Sequence, residues 1–330
     1  MKKRLLLIFI LAGIAFSVWS CDVERSEPIN SKMAEQLAML PQNADGLMYI
    51  NAEKIIKSKF FNLMMDSAGY CLEDNKDFKE MEDLTGFNIR TDAREAYFTY
   101  SATKDTLGDK FLAVVTGRYN ESKIMEFIHQ NKNGADILYE EFEGIKIYYF
   151  SGKDIQFCFP DQETFVFGHK KTIRSWIEKL KAGAYKKPGG KWFDVVKDIK
   201  YKNGIYFTMD PKGVVDQMMS EMKRFDDSQK FEAFKSVENI SFSMDMDDKL
   251  RFDGWGNFGN KETAELFFDS AKGLLATLKL SVSGDRDAVD VVNKVKIAQK
   301  KESVQVKFEI TGEDARKLIS RGQFPKFAIK

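Results

Sequence analysis

Residues 254–259 read GWGNFG. They fit G-x-G-x-x-G, the spacing with which a loop between a strand and a helix brings backbone amides up to a dinucleotide pyrophosphate. That chemistry needs a parallel strand before the glycines, a helix opening at the last of them, and a ribose-binding acid about 20 residues on. The sequence meets none of these conditions. Ile240, Phe242, Met244 and Met246 alternate with polar residues up to Asp247-Asp248-Lys249, and Leu250 to Phe258 then return, so the glycines fall on the second arm of an antiparallel hairpin. Lys279 stands where the acid should be. In the strand phase Leu250, Phe252, Gly254, Gly256 and Phe258 share one face. Gly254 and Gly256 are therefore expected in mid-strand, leaving room for a helix that carries Ala264, Phe267, Phe268, Ala271, Leu274 and Leu275.

Other residues capable of chemistry are sparse. The two histidines, His129 and His169, belong to no metal-ligand spacing such as H-E-x-x-H. There is no G-x-S-x-G elbow around a serine. The acid pairs Glu140-Glu141, Asp226-Asp227 and Asp247-Asp248 are neighbours along the chain, where solvation is the ordinary role, whereas glycosidase carboxyls face each other across a cleft. MDMDDK lacks the glycine and terminal glutamate of a calcium loop. No cofactor or metal is expected, and the chain reads as non-enzymatic.

Charge excludes a further class of partner. Without Lys2, Lys3 and Arg4, 48 basic side chains remain against 50 acidic ones, and no net positive field draws the protein to nucleic acid. Of the three cysteines, Cys71 and Cys158 could pair in an exported protein or sit apart as small buried hydrophobes. Cys158, within the apolar IQFCF, is expected to be buried.

Two stretches bring methionine and phenylalanine together on helices. Phe60 and Met64 lie on one, Met218 and Met222 on the other, at corresponding places in the two halves of the chain. Flexible thioethers beside rings suit either a packed core or an adaptable surface for an apolar ligand.

The chain begins with a basic Lys2-Lys3-Arg4, an apolar run from Leu5 to Phe16 and a short Ser17-Val18-Trp19-Ser20 before Cys21, the order of a secretory signal. The apolar run is short for a membrane span, which needs about 20 residues. Val18-Trp19-Ser20-Cys21 resembles the lipobox of bacterial lipoproteins, with an aliphatic residue three before the cysteine and a small one immediately before it. The resemblance implies that Cys21 is the lipidated first residue of the mature chain, attached to a membrane of the cell envelope, with several acyl chains giving a stable hold.

The elements that must position all of this come twice. GLMYIN followed by an apolar-periodic stretch has its counterpart in GIYFTM and the stretch after it, and each pair leads into two strands and a helix that begins after an asparagine N-cap, Asn120 or Asn260. In the first copy ILYEEF, IKIYYF, IQFCF and TFVFG then read as strands before a helix through Ile173, Trp176, Ile177 and Leu180. In the second, VKIAQ and the alternating SVQVKFEI precede a helix through Ala315, Leu318 and Ile319. The expected fold is α+β: two similar modules, each an antiparallel sheet with helices packed on one face. Its divisions are a signal peptide at 1–20, an anchor, tether and short helix at 21–40, and modules at 41–190 and 191–330. LPQNADGLMYINAEKIIKS and LTGFNIRTDAREAYFTY resemble segments of exported bacterial proteins built on such a duplicated module, a likeness that assigns no catalytic residue. A binding or structural role in the envelope follows, with an envelope protein as partner or, alternatively, a lipid or other apolar ligand carried between the sheets and the Met/Phe helices.

Overall fold

The computed structural model describes residues 31–67, 76–101, 111–130, 136–183, 203–213 and 236–320. Cys21, Cys71, Met218, Met222 and the signal segment lie outside them.

Helix α1 (Ser31–Met39) buries Met33, Leu37 and Met39 and stops ahead of Pro41. Its last carbonyls, which have no partner within the helix, accept from Gln42 Nε2 (Leu37 O at 3.0 Å) and from Lys179 Nζ (Met39 O at 3.2 Å). Strand β1 (Gly46–Asn51) follows, and Asn51 Oδ1 accepts from Lys54 N at 2.9 Å to start α2 (Ala52–Lys57). The one helix expected through Phe60 and Met64 is two. Ser58 leaves the helical conformation, and its Oγ then accepts from Phe61 N at 3.0 Å to open α3 (Lys59–Ser67).

Helices α4 (Lys76–Thr85) and α5 (Ile89–Asp92) lead to β2 (Glu95–Tyr100), β3 (Leu112–Thr116) and α6 (Glu121–Gln130). Four hairpin-linked strands come next: β4 (Ile137–Phe142), β5 (Ile145–Phe150), β6 (Ile155–Asp161) and β7 (Thr164–His169). Glu143 and Gly144, both at positive φ, make the first of these turns, the backbone signature of a two-residue hairpin. Helix α7 (Lys170–Ala182) closes this half. The second half contains β8 (Ile205–Met209), β9 (Val237–Met246), β10 (Lys249–Phe258), α8 (Lys261–Ser281), α9 (Arg286–Asn293), β11 (Lys296–Lys300), β12 (Ser303–Thr311) and α10 (Gly312–Ser320). Asn120 and Asn260 both cap as expected, accepting from Lys123 N at 3.1 Å and Thr263 N at 2.8 Å.

The protein is α+β, with helices on one large antiparallel sheet. Twelve strands run in the order β11-β12-β10-β9-β8-β1-β2-β3-β7-β6-β5-β4. The sheets of the two halves, which the sequence left free to join, are one: β1 pairs with β8, setting Met48 against Phe207, and the sheet is continuous. In each half the third strand pairs with the last, β3 with β7 and β10 with β12, across a crossover that contains a helix.

The expectation of helices on one face only is corrected. Leu47, Tyr97, Val114, Cys158 and Val166 face α1 and α7, whose Leu37, Ile173, Trp176 and Ile177 complete the main core. Tyr148, Phe157 and Phe159 point the other way, under Met125 of α6. Strands β5 and β6 are apolar on both pleats, and two-sided burial is the physical consequence.

Candidate functional site

The face that carries α6 continues into the second half as a row of rings. Register places Phe207 opposite Phe242 and Phe252 opposite Phe308. The four rings stack in sequence across β8, β9, β10 and β12, with centroids 5.1 Å apart for Phe207–Phe242, 5.6 Å for Phe242–Phe252 and 4.9 Å for Phe252–Phe308. Each ring remains partly exposed. Offset stacking contributes about 0.5–1.5 kcal/mol per pair beyond the area buried, so the row is a stiff apolar strip.

Gly254 and Gly256 lie in mid-strand on this face, opposite Val306 and Val304, and the dinucleotide motif is a β-strand. What fills the space above them differs from expectation. A β-carbon at Gly254 would stand 2.8 Å from the Phe252 ring, and one at Gly256 3.3 Å from the Phe258 ring. The glycines admit neighbouring rings of their own strand. Helix α8 packs further along the face, where Phe267 meets Phe258 at 5.0 Å and Ala264 is fully buried beside Val304.

Beyond that contact α8 exposes leucines that a core helix would bury. Leu266, Leu274, Leu278 and Leu280 are 63%, 72%, 45% and 75% exposed. Sequence reasoning placed Leu274 towards the sheet. The signal for the rest is that leucines occupy several sides of this 21-residue helix, more than one packed face can cover. The ring row and these leucines are two partly exposed apolar features of the second half.

Of the residues singled out for an apolar ligand, Phe60 and Met64 are among the described ones. Phe60 is buried, Met64 is half-buried, and α3 lies against the β9–β10 turn, where Phe60 N donates to Asp247 O at 2.9 Å. Leu63 on the same helix sits over Gly312 of α10. Met218 and Met222 fall outside the described residues.

Polar side chains are engaged in holding elements in place. Tyr49 and Tyr97 donate their hydroxyls to opposite oxygens of Glu95, at 2.9 and 3.2 Å, across β1 and β2. Burial, reinforced by the Glu95 charge, pushes both phenols well above their usual range, so they stay protonated donors. An open pocket of about 400 Å³ adjoins Glu95, with Lys32, Glu53 and Arg94 on its walls. Asp314 accepts from Thr311 N at 2.8 Å and pairs with Lys294, bridging α9 to the start of α10. Glu140 is bound by Arg174 at 2.7 Å. His129 is exposed on α6, and His169 occupies the N-cap position of α7 without a side-chain capping bond. Cys158 is a buried free thiol, pushed up to about 12 by desolvation and so held protonated. Among the described residues no group of three or more acids, histidines or cysteines is placed to hold a metal. Among the same residues no helix is long and apolar enough to cross a membrane.

No protein-family model matches the chain, and no curated protein matches it in sequence. Among solved structures it is similar to TP0453, a Treponema protein. Crystal form III of that protein is 11% identical with a TM-score of 0.47, the likeness covering 86% of this chain and 97% of the other. Form I is 10% identical at 0.45 over 86% and 96%, and form IV 12% identical at 0.45 over 87% and 96%.

Proposed function

We propose that this protein is a bacterial envelope lipoprotein, lipidated at Cys21, whose body has a non-enzymatic binding or structural role. The observation that carries this reading is the order of the N-terminus: basic residues, an apolar run, then Val18-Trp19-Ser20-Cys21. Only nine residues separate Cys21 from Ser31, the start of α1, so the chain allows at most ~30 Å between the lipid and the body. The body supports the reading through the use it makes of its charges: Glu95, Glu140 and Asp314 fix strand register and helix ends. We read the two halves as copies of one module: three meandering strands, a crossover helix, and returning strands of which the last pairs with the third.

Cell fractionation tests the anchor. The wild-type chain is expected with the membranes, released by detergent and not by salt, while Cys21→Ala is recovered without detergent. A wild-type chain recovered in the soluble fraction refutes the reading.

One observation favours a second reading, in which the body holds a lipid or other apolar ligand. Four stacked rings form a partly exposed row on one face of the sheet, and α8 exposes several leucines; rings and branched aliphatic side chains suit acyl chains. On this reading the ligand lies along the ring row that includes Phe252. Native mass spectrometry of the detergent-released protein distinguishes the two. A co-purifying apolar mass that is lost in Phe252→Ser supports a carrier, and a bare chain supports a structural role.

A further inference from the structure

The two edges of the twelve-stranded sheet are complementary. Every neighbouring pair of strands is antiparallel, and the number of strands is even, so β4 at one edge runs opposite to β11 at the other. A second copy displaced sideways along the sheet therefore brings its β11 beside β4 in antiparallel orientation, with the same faces aligned. Among the described strands β4 pairs only with β5, and β11 only with β12, so among the described residues each edge presents a row of backbone donors and acceptors that no neighbouring strand takes up.

Side chains select one register. On the pleat of β4 that faces α7 stand Leu138 and Glu140, preceded in the same phase by Asp136. On the same face of β11 stand Lys296, Ala298 and Lys300, all exposed. The acids and the lysines are both four residues apart, about 13 Å along an extended strand. Setting Asp136 opposite Lys300 sets Glu140 opposite Lys296 and Leu138 opposite Ala298. On the other face it sets Tyr139 opposite Ile297, an aromatic against a β-branched residue. Leu138 and Tyr139 are 44% and 62% exposed. Pairing like edges is worse: β11 about Ala298 puts Lys296 against Lys300, and β4 about Leu138 puts Asp136 against Glu140. Like charges directly opposite each other on adjacent strands are destabilising.

We propose that copies of this chain associate head to tail by adding β11 of one to β4 of the next, in the register Asp136–Lys300 and Glu140–Lys296. Such a contact is heterologous and does not close on itself, so the product is a row of molecules sharing one extended sheet.

Sedimentation of the full-length lipidated chain in mild detergent tests the charges. The mass is expected to rise with concentration and to fall with salt. Lys300→Glu and Asp136→Lys, both exposed substitutions, should each weaken association about tenfold, and the chain carrying both should recover it. A geometric test is independent of affinity. Under mild oxidation a chain with Leu138→Cys and Ala298→Cys should give a ladder of dimers, trimers and longer species beyond the wild-type background, while Leu138→Cys alone should give none. A chain that stays monomeric at all concentrations overturns the proposal. Association indifferent to both charge reversals, or dimers from Leu138→Cys alone, would do the same.

Discussion

The half of the molecule ending at α7 is covered on both faces over its central strands, while among the described residues the half beginning at β8 leaves a row of rings on one face partly open. In the first, the sheet lies between α1 and α7 on one side and α6 on the other, with Trp176, Ile173, Leu112 and Val114 almost inaccessible. In the second, the face continuing from the α1/α7 side buries Tyr206, Thr208, Ser241 and Ser243, and the opposite face carries partly exposed rings. Rows of apolar residues on both pleats, as in IKIYYF and IQFCF, give a centre buried on both sides, whereas on β8 to β12 the rings of one pleat remain partly exposed.

Substitutions that probe each half separately sharpen this contrast, and the core of the first half should give the largest effect. Trp176→Ala is expected to destabilise by about 3–5 kcal/mol, by lost transfer energy and a residual cavity. Phe252→Ala, in the open half, should cost roughly 1–2 kcal/mol because the ring is only partly removed from water. Chemical denaturation measures both. Equal losses would mean that the second half is as closed as the first.

Glycines give the next comparison. A β-carbon at Gly168, between β3 and β7, would lie 2.5 Å from the Phe111 carbonyl oxygen, an immovable backbone atom. Gly168→Ala should therefore destabilise by about 3 kcal/mol. Gly254→Ala meets only the Phe252 ring, which can swing outward, and a change of less than about 1 kcal/mol is expected. A large loss at Gly254 would show the ring row to be as tightly held as the core.

Acid should loosen the open half first. A hydrogen bond from Lys249 holds the Glu309 carboxyl below its usual range. For Asp314, burial pushes the carboxyl up, but the bonds from Lys294 and Thr311 outweigh it and leave it lowered. Groups with lowered folded values contribute stability that is present above the ordinary carboxylate range, about pH 4, and is lost as pH falls through the folded values. Hydrogen exchange below that range should show α10 and β12 losing protection before β3 and β7. The first half has its own such group in Glu140, held low by Arg174, so the difference expected is one of order and not of kind.

The smallest change in stability is expected at the α8 surface. Leu280→Asn should alter it by no more than about 0.5 kcal/mol, since the side chain is largely in water already. If the leucines form a binding surface, the same substitution lowers retention on an apolar matrix. A large loss of stability would mean that Leu280 belongs to a core.

Much of the strand order was readable in advance because turns and alternation are local. The hairpin around Asp247-Asp248 turned GWGNFG from a cofactor loop into a strand, and both asparagine caps follow from residue type alone. What covers each face was not readable. Apolar runs such as IQFCF signal burial without saying what lies on either side, and the joining of β1 to β8 is a long-range pairing that no local pattern encodes. The helical spacing of Phe60 and Met64 marks an apolar stripe without saying whether it meets a core or a ligand, and Phe60 is buried. Leu266, Leu278 and Leu280 were missed because a helix with leucines on several sides has no single face to assign.

Labelling with radioactive palmitate, with and without globomycin, tests the anchor at Cys21 most directly. The wild-type chain is expected to take up label, globomycin to leave a larger precursor, and Cys21→Ala to take up none. A wild-type chain that never acquires label, or label that persists in Cys21→Ala, would contradict the lipoprotein assignment.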